Sequence, residues 1–143
     1  MYLIGKKYFW SGEGPDKIKA DKIKELFAEA KDYELRYVEF EVGYWRKSNH
    51  IHKWFVDNVQ EGEDDCGNYY VSREQLIKLQ AACIAVLKHR ELGKELLPTV
   101  GGFFFGPTEY DVSYYEDIKS TITIIDKALK LSEEWDFEYH SSW

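Results

Sequence analysis

The chain has 143 residues, and its 26 acidic against 19 basic residues give a formal net charge of −7, which argues against general affinity for nucleic acid, a binding that rests on cations neutralising phosphates. No apolar run approaches ~18 residues, so no membrane-spanning helix is expected, and the length predicts one domain burying about 68% of its unfolded surface. Aromatic residues make up 17% of the chain, with eleven Tyr, eight Phe and five Trp. That exceeds what a core of this size needs, so part of the aromatic surface should form a binding face.

Residues 1–10 step between apolar and aromatic side chains and predict a strand; they lack the apolar run and small-residue cleavage site of a signal peptide. Residues 12–15 read as a turn and 16–20 as a second short strand. Asp21 is placed to cap a helix over 22–31, with Ile23, Leu26 and Phe27 on one face. Residues 33–42 are rich in β-formers and predict a strand. The next helix runs to about residue 59 and begins either near Gly43 or with Ser48 as its N-cap. An acidic, turn-rich loop over 60–68 leads to a short strand over 69–71. Ser72-Arg73-Glu74-Gln75 fits a capping box, and the helix after it, to about residue 90, carries Leu76, Leu79, Cys83, Val86 and Leu87 on its apolar stripe. Residues 96–107 form a loop around an extended Phe103-Phe104-Phe105. Ser113 to Glu116 matches a second capping box, before a helix to about residue 131 with Ile118, Ile122, Ile125 and Leu129 in register. Trp135, Phe137 and Tyr139 alternate with acids, the pattern of a strand buried on one face. The expected class is α+β: three to four helices packed on a small, mostly antiparallel sheet.

Tyr44-Trp45-Arg46-Lys47-Ser48-Asn49-His50-Ile51-His52-Lys53-Trp54-Phe55 holds two of the five tryptophans, two of the four histidines and three cations, with no acid. In an acidic protein this is a local reversal of sign. On a helix over 44–59, Arg46, His50, Lys53 and Asp57 share one stripe, and Ile51, Trp54, Phe55 and Asn58 another. The apolar stripe should enter the core. The basic stripe then faces solvent or a shallow pocket, with Asn49 beside it. Cations and imidazole N–H groups both donate to oxygen anions, so the grouping suits a phosphate or carboxylate. The plainer alternative is the solvated face of an amphipathic helix.

His50 and His52 make a poor metal pair on a helix, because side chains two residues apart diverge by about 200°. On a strand they would be joined by Asp64, Asp65 and Cys66, yet no zinc spacing results. No metal and no cofactor are therefore expected. Gly101 and Gly102 allow close backbone approach ahead of the three phenylalanines, so Phe104, or Tyr69, is a candidate for stacking on a ligand; a buried strand is the alternative. Nothing forms a catalytic signature. Cys66 has histidines upstream without a nucleophile spacing, Cys83 sits on an apolar stripe, and Glu109, Asp111, Glu116 and Asp117 suit a helix N-terminus. Two cysteines cannot make a disulfide framework, which predicts a reduced, cytoplasmic compartment.

With these motifs laid out, the chain resembles a family of small proteins encoded by bacteriophages and prophages. The resemblance rests on Tyr44-Trp45-Arg46-Lys47, Asn49, Ile51-His52, Trp54-Phe55-Val56, Cys66, Tyr70-Val71, Leu96-Leu97-Pro98-Thr99, Gly102 to Gly106, Thr108, Tyr110-Asp111 and the ending Phe137 to Trp143. It covers residues 36–143 and implies an accessory protein that works in the host cytoplasm, where small phage proteins of this kind often counter host defences or redirect host enzymes; it implies no particular activity. Three functions follow as expectations. The first is a non-enzymatic binder of a small anionic, nucleotide-like ligand, using Arg46, Asn49, His50, Lys53, Tyr69 and Phe104. The second is a protein-interaction module whose acidic patches dock on a host protein and block it, with self-association left open. The third is a phosphate-ester hydrolase using His50 or His52. A ligand binder should show a concave basic pocket, a docking module a flat apolar patch rimmed by acids, and an enzyme a histidine in reach of a carboxylate or nucleophile.

Overall fold

The computed structural model describes residues 1–10, 13–102 and 106–142. Four strands form the sheet: β1 (Tyr2–Tyr8), β2 (Tyr37–Tyr44), β3 (Asn68–Val71) and β4 (Asp136–His140). Their order is β2-β1-β4-β3 and every pairing is antiparallel. The alternation in β1 buries Leu3, Gly5 and Lys7 on one side, and β4 buries Phe137 and Tyr139 on that same side. Lys7 is tolerated there because its ammonium reaches Asp16 at 3.3 Å and Glu134 at 3.6 Å.

The helices are α1 (Pro15–Lys24), α2 (Asn49–Asn58), α3 (Arg73–Lys88), the single-turn α4 (Gly93–Leu96) and α5 (Val112–Leu129). The α+β class and the antiparallel sheet agree with the sequence pattern. So does α3, whose capping box is complete: the Gln75 amide donates to Ser72 Oγ at 3.1 Å and the Ser72 amide to Gln75 Oε1 at 2.8 Å. Three local expectations are corrected. Residues 16–20 are helical, because Pro15 stands at the first turn of α1 with its φ already helical. That helix ends at Lys24, a 3₁₀ turn follows at Ala28–Ala30, and Leu26 and Phe27 stay 78% and 53% exposed rather than facing a core. The helix α5 begins one residue before Ser113, since the Asp111 carboxylate takes the Tyr114 amide at 3.2 Å and so caps it.

The core joins the inner side of the sheet to α2, α3 and α5. Ile51, Trp54 and Phe55 enter it from α2, Leu76, Leu79, Cys83 and Val86 from α3, and Ile118 and Ile125 from α5. Phe55 stacks on Tyr139 with centroids 3.9 Å apart and planes 8° from parallel. The helix α5 crosses β2 closely at Gly43, where an added Cβ would lie 2.2 Å from Ile124 Cγ2.

Gly43→Ala should therefore lower the unfolding free energy by ~1–3 kcal/mol through overpacking. Ile124→Ala in the same chain should make the double variant less destabilised than the two single losses added together. Urea denaturation of the four proteins checks this; an unchanged midpoint for Gly43→Ala would contradict the close crossing. Both cysteines are free thiols, Cys83 buried and Cys66 half-buried, and burial pushes the Cys83 thiol up to about 12. Alkylation of the folded protein at neutral pH should label Cys66 and spare Cys83 until denaturant is added, read by intact mass.

Candidate functional site

The turn from β2 into α2 is built around Trp45. Its side chain is 3% exposed, and its indole N–H donates to Thr121 Oγ1 of α5 at 2.8 Å. The backbone of Trp45 is tied to Met1: its N–H donates to the Met1 carbonyl at 2.9 Å, and its carbonyl accepts from the N-terminal amine at 3.2 Å. With Trp45 turned inward, Arg46 and Lys47 point outward and are exposed. Lys47 has φ 60°, the left-handed region, which costs a residue with a side chain ~1–2 kcal/mol. Gly106, at φ 79°, packs on it so closely that an added Cβ would lie 3.2 Å from both the Cβ and the carbonyl oxygen of Lys47.

Asn49 then locks the long loop before α5 onto this turn. Its Nδ2 donates to the Pro107 carbonyl at 2.9 Å, and its Oδ1 accepts from the Val100 amide at 3.0 Å. His50 is 3% exposed, with its ring 4.3 Å from that of Tyr114, and its Nε2 is buried without a hydrogen-bond partner. Burial pulls the imidazole down to about 4, so it is neutral at pH 7.

Arg46, Lys47, Asn49 and His50 line one side of a cleft of about 180 Å³. Pro107, Tyr114 and the carboxylates of Glu109, Asp111 and Asp117 are on the other. These three carboxylates face the two cations across the cleft. Asp111 is committed to capping α5, and burial raises the Asp117 carboxyl, disfavouring its charge, against a smaller opposite effect of the Ser48 side chain. Among the described residues, neither Arg46 nor Lys47 has a carboxylate oxygen within 4.0 Å.

The proposed helical stripe of Arg46, His50 and Lys53 is not present. The helix α2 starts at Asn49, the second of the two expected starts, so Arg46 precedes it. Arg46, Asn49 and His50 meet across the turn instead, and His50 faces the interior. Lys53 lies outside the cleft lining and pairs with Asp57 at 2.7 Å. Tyr69 is also outside it, and its hydroxyl donates to Asp65 Oδ1 at 2.8 Å. Phe104 falls outside the described residues. Lys47 and Asp117 were missed; the left-handed turn that aims the one and the burial that perturbs the other leave no mark on residue spacing.

His52 looks at first like part of a catalytic relay. Its Nδ1 lies 2.7 Å from the Tyr139 hydroxyl and its Nε2 3.1 Å from Asp64 Oδ2. Burial lowers the imidazole pKa against the opposing pull of Asp64, and burial raises that of Tyr139. The arrangement this favours has the Tyr139 O–H donating to Nδ1 and Nε2–H donating to Asp64. The hydroxyl in this chain belongs to a fully buried ring, so the trio ties the core together and presents no nucleophile. Among the described residues no three His, Cys, Asp or Glu side chains gather as a metal site, and no helix is long and apolar enough to cross a membrane. Comparison with protein-family models, with curated proteins and with solved structures found no match to this chain.

His50 makes stability depend on pH. Its folded pKa, about 4, lies below the ordinary 6.5, so the unfolded chain binds the proton first as pH falls. The contribution is complete above ~6.5 and lost between there and ~4, worth about 3 kcal/mol across the window. His50→Phe should remove that part of the slope. Unfolding free energies of both proteins between pH 7 and 4 check it; parallel curves would show that His50 is not held neutral.

Proposed function

We propose that the chain is a non-catalytic binding protein for a small anionic molecule, seated where the turn after β2 faces the start of α5. The observation that supports this best is the pair of exposed cations, Arg46 and Lys47, at one cleft without a carboxylate partner among the described residues. These cations are available for charge-assisted hydrogen bonds to an oxygen anion. The neutral His50 next to them has a buried, unpartnered Nε2, which gives the site a polar group without adding charge. A strained backbone at Lys47 fits the same reading, since strain of this kind gathers at binding sites.

The volume narrows the ligand class. At about 180 Å³ the cleft is smaller than the ~300 Å³ at which pockets for drug-sized molecules begin. It suits a phosphate or carboxylate head group, with the rest of a nucleotide lying outside. The biological setting rests on the resemblance to phage and prophage proteins: such a binder would withdraw an anionic metabolite or signal from a host defence.

The test is calorimetric titration with inorganic phosphate, nucleoside monophosphates and cyclic nucleotides. A phosphate-bearing molecule should bind. Arg46→Ala and Lys47→Ala should each weaken it roughly 10- to 150-fold, the equivalent of a charge-assisted hydrogen bond, while Lys53→Ala leaves it unchanged. If nothing in the panel binds the wild type below ~1 mM, the reading fails.

A further inference from the structure

All the core-forming side chains of the sheet lie on one side, and the register fixes what is on the other. Tyr2 stands opposite Tyr44 and His140, Ile4 opposite Glu41 and Glu138, Lys6 opposite Glu39 and Asp136, and Tyr8 opposite Tyr37. Tyr70 of β3 joins the row of Glu138. None of these residues is buried. The rings form two clusters at opposite ends of the face, Tyr2–Tyr44 at 5.1 Å at one end, and Tyr8–Tyr37 at 5.6 Å with Tyr8 stacked on Trp10 at 5.1 Å at the other, where Trp10 is 83% exposed. Between the two tyrosine rows lie the four carboxylates Glu39, Glu41, Asp136 and Glu138 with the single ammonium of Lys6, a formal −3.

We propose that this open sheet face docks a cationic protein surface rich in arginine. Charge complementarity selects the occupant. A nucleic acid would bring its phosphates against four carboxylates. A second copy in face-to-face contact would oppose −3 with −3. An arginine-bearing partner satisfies both parts of the surface, because guanidinium pairs with carboxylates and stacks on aromatic rings. Lys6 shows the recognition within the chain: its ammonium reaches Glu138 at 2.5 Å and Glu39 at 3.8 Å, and lies 5.5 Å from the centre of the Tyr37 ring. Glu41 and Asp136 have no such ion pair among the described residues and remain for an incoming cation.

The face also sets the strength. Seven residues of strand by three inter-strand gaps make a patch of at most ~24 Å by ~14 Å, well under the ~800 Å² per partner of a stable interface. Binding should be transient, fast and salt-sensitive rather than permanent.

The test is an amide-proton NMR titration of the full chain with synthetic peptides of one length, alternating serine with arginine, lysine or glutamate, and with a single-stranded oligonucleotide. The arginine peptide should shift the amides of β1, β2 and β4, bind more tightly than the lysine peptide, and weaken in about 0.5 M salt. Glu41→Lys with Asp136→Lys should weaken it at least tenfold with the remaining spectrum retained, and Tyr44→Ala should weaken it in a fully acidic background. Arg46→Ala should leave it unchanged, which separates this face from the cleft. The inference is overturned if no peptide binds, if the shifts lie on the helical side, or if the glutamate peptide or the oligonucleotide binds the face as tightly as the arginine peptide. A dimer seen in sedimentation and broken by the two charge reversals would also overturn it, by making a second copy the occupant.

Discussion

A single buried hydroxyl sets the terms for much of this fold. Tyr139 is fully buried in β4, near the middle of the sheet, with its ring against Phe55 and close to Trp45. A phenol O–H in that position needs a partner, because an unsatisfied one costs ~1–3 kcal/mol. His52 supplies it, and His52 is on α2. The helix is thereby held in one rotational setting over the sheet, with Phe55 under the ring and the imidazole beside the hydroxyl. The other ring nitrogen of His52 reaches Asp64, which anchors the acidic loop between α2 and β3. Strand, helix and loop are thus tied together by two polar contacts that meet on one imidazole.

The cleft follows from that setting. Once His52, Trp54 and Phe55 face the core, the positions just before them have little freedom. Ser48 and Asn49 fall at the helix start, His50 turns toward Tyr114, and the chain must reach β2 within a few residues. It does so through a left-handed Lys47, accommodated by a glycine at 106. Asn49 spends its amide on both ends of the neighbouring loop, so it shapes the wall of the cleft. Arg46 and Lys47 are then presented by a turn whose geometry is fixed from below, and such pre-ordering would lower the entropy cost of the binding proposed above.

The sequence made some of this readable and hid the rest for identifiable reasons. The α3 capping box, the apolar stripe of α3 and the alternation of Trp135, Phe137 and Tyr139 were legible because each is a local signal that tertiary packing reinforces. The α1 helix was misread because its start is marked by Pro15 alone, and it buries no side chain that would leave a periodic pattern. The Ser113 box lost to Asp111 because two capping residues stand two positions apart, and spacing does not rank them. Arg46 and His50 do line one cleft, but not for the reason their spacing gives. Four-residue spacing suggested a shared helical face, while the structure joins them across a turn. The same helical reading draws in Lys53, and chemistry alone draws in Tyr69; each has a carboxylate partner outside the cleft.

Net charge was the least informative of the sequence properties at the level of sites. A value of −7 describes the molecule from a distance, but at physiological salt charges separated by more than ~8 Å are largely screened. Within that radius Arg46 and Lys47 stand exposed on one turn and face the carboxylates of Glu109, Asp111 and Asp117 across the cleft, while the outer side of the sheet sets four carboxylates around one ammonium. The aromatic excess divides in the same way. Tyr114 and Tyr139 pack inside, while five of the eleven tyrosines (Tyr2, Tyr8, Tyr37, Tyr44 and Tyr70) lie on the outer sheet face. Exposed rings in a row cost solubility and contribute nothing to the core, whereas acids interleaved among them restore solubility and discourage self-association. A surface that keeps its rings exposed and sets carboxylates between them suits the cationic partner proposed above better than another copy of itself.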